Sequence, residues 1–369
     1  MPASATESVR IPTRRKILYL GIVMIFLLGL CEGGLRLRAW VKYGSAAAGV
    51  RDPMLVRDEA ADLWVLRPGY EARGSNIHIK INSLGYRGDE FSPAKPAGTF
   101  RIVCLGASTT FSAEVSSNTA TWPHRLQQKL RTAYPGRNIE VINAAVGGYV
   151  AEDNLKNLRH RVLALDPDLV IYYEANNEIV RDTRELAIRE RLIDADGRRQ
   201  PAWSSALSRV SLLFDLAYKN LAILARSREG GGQRLNQIPA DLPSRFTGLL
   251  DQMRQELAAR DISFMLSTFI VKYRRDQDRA TQIANADVAF YYMPWMSIDG
   301  LLDAMDKYNA AILEYGRKTG IPVVDDRTAI PPDARHFTDC MHLSDSGNEA
   351  MAERFYRFMR ASGVQFKAS

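Results

Sequence analysis

Three cysteines in 369 residues (Cys31, Cys104 and Cys340) are too few for a disulfide framework, and they share no ligand spacing. A disulfide scaffold and a cysteine-ligated metal centre are thereby excluded, and stability must come from a hydrophobic core. Internal repeats and long low-complexity tracts are also missing, which removes solenoid and fibrous architectures. There is no basic stripe. Of the formal net charge of +7, residues 1–60 account for four, with nine Lys/Arg against five acids. The remainder is close to balanced and has no zinc-finger spacing, which argues against a nucleic-acid partner.

What is present starts at the N-terminus. Arg14-Arg15-Lys16 precede Ile17 to Cys31, a stretch without charge. As a helix it rises about 22 Å, less than the roughly 30 Å hydrocarbon core of a bilayer. Continuation through Gly33 to Leu37, with snorkelling Arg and Lys at both ends, closes the gap. Residues 1–16 therefore read as a cytoplasmic N-terminus and 17–38 as an uncleaved signal anchor or transmembrane helix. A cleaved signal peptide is the rival reading, although no small-x-small site stands before Glu32.

Residues 39–75 read as a juxtamembrane linker, most flexible from Gly44 to Gly49. Asn76 to Asn82 alternates apolar and polar residues, the mark of a half-buried strand that leaves His78 exposed, and Ser83 to Gly88 is a turn. From Phe100 the pattern alternates strand and helix. Strands are expected at 101–105, 139–142, 168–173, 262–269 and 322–324, and helices at 119–133, 152–165 and 349–360. Strands spaced by helices of this length imply an α/β domain over 76–369, with a mostly parallel five-stranded sheet covered on both faces. Residues 178–260 read as a helical insertion, including an apolar helix from Ser205 to Ala225 and a loop at Arg228 to Gly232. Tyr291-Tyr292-Met293-Pro294-Trp295 is an aromatic cluster that suits a substrate wall and ordinary packing equally.

The run Ile102 to Leu105 ends in Gly106-Ala107-Ser108-Thr109-Thr110 and so delivers a serine at the carboxyl end of a strand, where an open α/β sheet presents chemistry. Gly148 follows the second strand, Asn177 the third, and Asp339-Cys340-Met341-His342 the last. An aspartate three residues before a histidine can bond its Nδ1–H from the same loop and leave Nε2 as a general base. A glycine N–H and an asparagine amide can donate to an oxyanion. Gly147 competes with Gly148, and Asn176 with Asn177, at the one-residue level. His124, His160 and His336 read as structural, with His336 the one nearest a substrate role.

These blocks resemble the SGNH hydrolases, also called the GDSL esterase/lipase superfamily. Gly106 to Thr110 is similar to its nucleophile block, Asn143 to Gly148 to its second, Ala175-Asn176-Asn177-Glu178 to its third, and Asp339 to Leu343 to its fifth. The resemblance covers roughly residues 76–362. It implies a flavodoxin-like three-layer α/β/α sandwich and a Ser108–His342–Asp339 triad. The implied oxyanion hole consists of Ser108, Gly148 and Asn177, with no metal or organic cofactor. The anchor and the later Asn-Ser-Leu-Gly-Tyr-Arg-Gly are similar to membrane-anchored bacterial members. They imply a single-pass inner-membrane protein whose catalytic domain faces the periplasm. The implied activity is an esterase or acylhydrolase acting on an acylated small molecule, lipid or carbohydrate. The alternatives are a polysaccharide O-acetyltransferase and a non-catalytic glycan-binding protein. Three residues depart from the family pattern: Ala107 stands for Asp, Ala175 for Gly, and Glu178 for Asp.

Overall fold

The computed structural model describes residues 12–43, 54–194, 204, 207–208, 210–226 and 233–363. The glycine-rich stretches expected as mobile, Gly44 to Gly49 and Arg228 to Gly232, lie outside these residues. Helix α1 (Thr13–Tyr43) opens the chain and leaves its apolar side chains from Ile17 to Leu30 exposed. Among the described residues it is the one helix long and apolar enough to cross a membrane.

The stretch expected as a linker carries ordered structure. Strand β1 (Leu55–Asp58) pairs antiparallel with β2 (Leu63–Leu66), and β3 (Glu71–Arg73) with β4 (His78–Lys80). The last of these lies within the strand expected over 76–82; the first three are short and fall in the stretch expected as linker, where their periodicity is weak, but their packing is not. Leu63, Val65 and Leu66 are buried with Ile79 and Ile81 against Ala107, Phe111 and Tyr149. The segment thus seals an apolar cluster under the turn that carries Ser108.

The main sheet comprises β5 (Thr99–Gly106), β6 (Asn138–Asn143), β7 (Leu169–Tyr173), β8 (Ser263–Ser267) and β9 (Val323–Val324). All are parallel, in the order β6-β5-β7-β8-β9. This is the flavodoxin-like order, with its switch point beside β5. Every residue of β5 is buried, which explains why it reads as an unbroken apolar run rather than an alternating one.

Helices follow as α2 (Ser108–Phe111), α3 (Trp122–Ala133), α4 (Ala151–Asn157), α5 (Asn176–Arg189), α6 (Leu212–Arg226), α7 (Ser244–Ala258), α8 (Arg279–Asn285), α9 (Asp287–Tyr292), α10 (Ile298–Thr319) and α11 (Asp345–Ala361). On one face α3 packs against α11, with Trp122 stacked on Phe355 at 4.6 Å between ring centroids. On the other lie α4, α7 and α10. Helix α7, inside the stretch expected as an insertion, is the crossover between β7 and β8, and its Phe246, Leu250, Met253 and Leu257 enter the core. The helix expected over 152–165 is α4 followed by a wider π turn and a tighter 3₁₀ turn, ending where Asp166 adopts φ 51° before Pro167.

The sheet's tightest point is Gly106. A Cβ there would meet Tyr173 O at 2.5 Å, in the neighbouring strand β7, and would also run into the Thr110 side chain. Neither neighbour can yield: Thr110 Oγ1 donates to that same carbonyl at 3.0 Å. Gly106→Ala is therefore expected to destabilise the domain by about 2 kcal/mol or more. A lowered urea midpoint in tryptophan fluorescence checks this, and an unchanged midpoint refutes it.

Candidate active site

Ser108 is the first residue of α2, a single helical turn set directly on the end of β5. Several contacts hold this turn. Gly106 N–H donates to Asn154 Oδ1 at 3.1 Å, and Asn143 Nδ2 donates to Thr110 O at 2.9 Å. Arg87, buried, donates from Nη1 to Phe111 O and Ser112 O at 2.8 and 2.7 Å. The carbonyls at the end of the turn thereby gain a cationic donor, which suits a helix C-terminus. Burial of Arg87 lowers its pKa to about 9, still a cation at neutral pH.

The histidine loop meets this turn from the far end of the chain. His342 Nε2 lies 2.8 Å from Ser108 Oγ, and His342 Nδ1 lies 2.7 Å from Asp339 Oδ2. The other Asp339 oxygen accepts the backbone N–H groups of Met341 and His342 at 2.8 and 2.7 Å. A carboxylate bonded on both oxygens holds the imidazole with its Nδ1–H toward Asp339, which leaves the Nε2 lone pair for the serine proton. Burial alone would lower the His342 pKa, but the hydrogen bond and charge of Asp339 outweigh it and raise the pKa above the ordinary 6.5. Burial likewise works against the Asp339 carboxylate, and His342 outweighs it, so Asp339 is held below its usual range.

Asn348 joins the two loops. Its Oδ1 accepts from Ser112 Oγ at 2.8 Å and from Trp122 N–H at 3.0 Å, while its Nδ2 donates to Leu343 O and Ser344 O. Asn348 is fully buried. Nothing in its sequence neighbourhood marks it except its place just after the histidine block, inside the first turn of α11.

Gly148 and Asn177 line the same cleft as Ser108 and His342. Gly148 has φ 85°, a conformation that disfavours a side chain, whereas Gly147 has no such need. Among the described residues, neither the Ser108 nor the Gly148 backbone N–H is engaged by a protein acceptor. Asn177 Nδ2 donates one hydrogen to Tyr149 O at 2.9 Å, which orients the amide beside the Gly148 loop and leaves its second N–H. Asn176 also borders the cleft, but it is buried and its Oδ1 has no partner. Glu174 accepts Asn177 N–H at 2.6 Å and so fixes the start of α5. Its burial pushes the carboxyl up to about 8 against three backbone N–H groups that favour the anion.

The three departures have local reasons. Ala107 is fully buried in the apolar cluster with Phe111, Val146 and Tyr149, a site that solvates no carboxylate. Ala175 has φ −154° and ψ −21°, and its negative φ does not call for a glycine. The longer Glu178 reaches Ala151 N–H at the start of α4 and pairs with Arg181, tying the third loop to the second.

The cleft holds about 730 Å³ and is lined further by Val150, Val180, Arg181, Arg184, Tyr292 and Met341. Of the aromatic cluster, Tyr292 faces this cleft while Met293 and Trp295 are core. His336 does not reach it: it pairs with Asp333 at 2.7 Å and borders a separate groove with Arg125 and Lys129. His124 lies in another pocket, with Arg87 and Arg131. Cys104 and Cys340 are buried thiols whose pKa is raised by desolvation, which removes them as nucleophiles. Among the described residues no group of His, Cys, Asp and Glu is placed to hold a metal ion.

A serine, a histidine and an aspartate in hydrogen-bond relay lie at the carboxyl edge of a parallel sheet, an arrangement that fits the class of α/β hydrolases. Within that class the chain belongs to the GDSL-like lipase/acylhydrolase family, whose model matches residues 104–350. By that membership it is a carboxylic ester hydrolase. Several solved structures are similar. They include an acetylxylan esterase from Geobacillus stearothermophilus (14% identity, 73% of this chain and 97% of that one, TM-score 0.43). Another is a lipase/acylhydrolase from Enterococcus faecalis (18%, 73% and 100%, TM-score 0.44). A third is an α/β hydrolase enzyme from the metagenome of Lake Arreo, Spain (15%, 72% and 95%, TM-score 0.43). No curated protein matches the sequence.

Since neutral His342 is the form that takes a proton, kcat/KM should fall on acidification with a midpoint above 6.5. Asp339→Asn should lower kcat by about 10⁴-fold and move that midpoint to lower pH, because the carboxylate is what raises it. Asn348→Ala should lower kcat by about 10²-fold with KM little changed. Stopped-rate ester assays across pH read both, and an unmoved midpoint in Asp339→Asn refutes the first.

Proposed function

We propose that this protein is a serine esterase acting on the acyl or O-acetyl ester of a carbohydrate or lipid. In this reading it is held by α1 in the bacterial inner membrane, with its catalytic domain on the periplasmic side. The 2.8 Å approach of His342 Nε2 to Ser108 Oγ carries the reading. Ser108 Oγ attacks the ester carbonyl carbon as its proton passes to His342 Nε2, and Asp339 stabilises the resulting imidazolium. The carbonyl oxygen becomes an oxyanion facing the backbone N–H groups of Ser108 and Gly148 and the free N–H of Asn177. Each such donor lowers the barrier by about 2.7–4 kcal/mol.

Collapse of this intermediate breaks the bond to the alcohol, which leaves with the proton from His342. A water then gives its proton to His342 and attacks the acyl-enzyme, releasing acid and restoring Ser108. Val150, Val180 and Met341 supply apolar walls for an acyl group. Arg181, Arg184 and Asn176 supply polar ones for the alcohol side.

Full-length protein in detergent is expected to hydrolyse p-nitrophenyl acetate and to be labelled by a fluorophosphonate. Both should be lost in Ser108→Ala and labelling retained in Cys104→Ala. A folded sample that takes no label, or a Ser108→Ala variant that still does, overturns the assignment.

A further inference from the structure

The mechanism leaves unused the region that joins α1 to the wall of the cleft. Glu32, the first charge after the apolar run of α1, is bonded to the start of α6. Its carboxylate accepts the N–H groups of Leu212 and Leu213 at 3.0 and 2.9 Å and the Ser211 hydroxyl at 3.0 Å. Arg36, one turn on, pairs with Glu32 at 2.7 Å and donates to Val210 O at 2.9 Å. A residue of the anchor helix thus caps the N-terminus of a helix far away in sequence. A second tie sits at the end of α1, where Ser75 N–H donates to Val41 O at 2.6 Å. Two ties fix the direction of the domain relative to the anchor.

Helix α6 continues from this point to the active site. It packs on α9, with Lys219 Nζ 5.5 Å from the centre of the Tyr291 ring, and the neighbouring Tyr292 is part of the cleft wall. Lys219 is close enough for its charge to act on His342. On the side of α6 away from the domain Leu216, Ala217 and Leu221 are exposed around a single polar residue, Asn220, and Leu207 and Val210 just before the helix are exposed too. Val210 and Leu221 are each about two-thirds exposed, at 67% and 66%. Leu37, Trp40 and Val41 on α1 are exposed too. A tryptophan beside basic residues at the end of an apolar helix suits the membrane–water boundary. Glu32 lies about 12 Å of helix to the membrane side of Trp40, so the capping puts the start of α6 just inside this boundary. An apolar face continuous with a membrane anchor, at that depth, fits a lipid surface rather than a soluble partner.

We propose that α6 lies in the membrane surface beside α1 and holds the Ser108 cleft against the bilayer, so that it takes esters carried by membrane-borne amphiphiles. The substrate class rests on the esterase reading above; the seating of α6 does not. The full chain, with Cys31→Ser, is reconstituted in phosphatidylethanolamine/phosphatidylglycerol vesicles and labelled with an environment-sensitive fluorophore at Leu216→Cys, Leu221→Cys or Lys318→Cys. Brominated lipids should quench the first two and not the third. Labels at 216 and 221 that behave like the one at 318 overturn the seating, as does their protection by contact between copies of the chain.

The second arm compares p-nitrophenyl palmitate in the vesicles with p-nitrophenyl acetate in solution. Leu216→Glu with Leu221→Glu should lower turnover of the vesicle-borne ester by at least about tenfold and leave the soluble ester unchanged. Equal effects on both esters, or a wild-type protein that turns over only the soluble one, overturn the substrate class. A wild-type protein that turns over neither ester, with quenching intact, overturns the esterase reading and leaves the seating standing.

Discussion

The hydrogen bond between Ser112 and Asn348 joins residues 236 apart in sequence and ties the Ser108 turn to the His342 loop. Ser108 and His342 sit on separate loops, yet Oγ and Nε2 must meet at hydrogen-bond distance. Each loop is rigid for its own reason: α2 is clamped by Gly106, Asn143 and Arg87, and the histidine loop by the two N–H bonds to Asp339. Asn348 fixes one relative to the other through a buried amide whose donors and acceptor are all used. A buried polar group in that state is costly to disturb, so it defines one geometry rather than a range.

The sheet supplies the second constraint. Because β5 is flanked by β6 and β7, the loops after these three strands converge at one edge, bringing Ser108, Gly148 and Asn177 to the same cleft. The fourth participant arrives after β9, and the helix that follows it, α11, returns across the sheet to pack on α3. Arg354 on α11 reinforces this return by donating to Val324 O and Thr268 Oγ1 at 2.8 and 3.0 Å. Ser108 and His342 thus sit at the same end of this helical layer, where the first turns of α3 and α11 meet through Trp122 N–H and Asn348 Oδ1.

The polar substitutions in the family blocks follow the same economy of space. A buried alanine at 107 and an alanine with negative φ at 175 cost the site no proposed catalytic atom. Glu178 uses its extra methylene to reach the start of α4, where a shorter side chain would end short. Residues 55–66, which the sequence marks only as linker, close with the strand His78–Lys80 the cluster beneath the turn that carries Ser108.

The sequence by itself determined the strand–helix alternation, the apolar anchor segment and the residue types of the four blocks. Periodicity and local turn chemistry are properties of neighbouring residues, so they survive in one dimension. Only the tertiary structure set Gly148, with its positive φ, apart from Gly147, and set His336 apart from the cleft. It alone revealed Asn348, Arg87 and Glu32 as connectors, because each acts on backbone groups far from it in the chain. Long-range contacts of that kind leave no period and no motif; they exist only once the core has brought distant segments together.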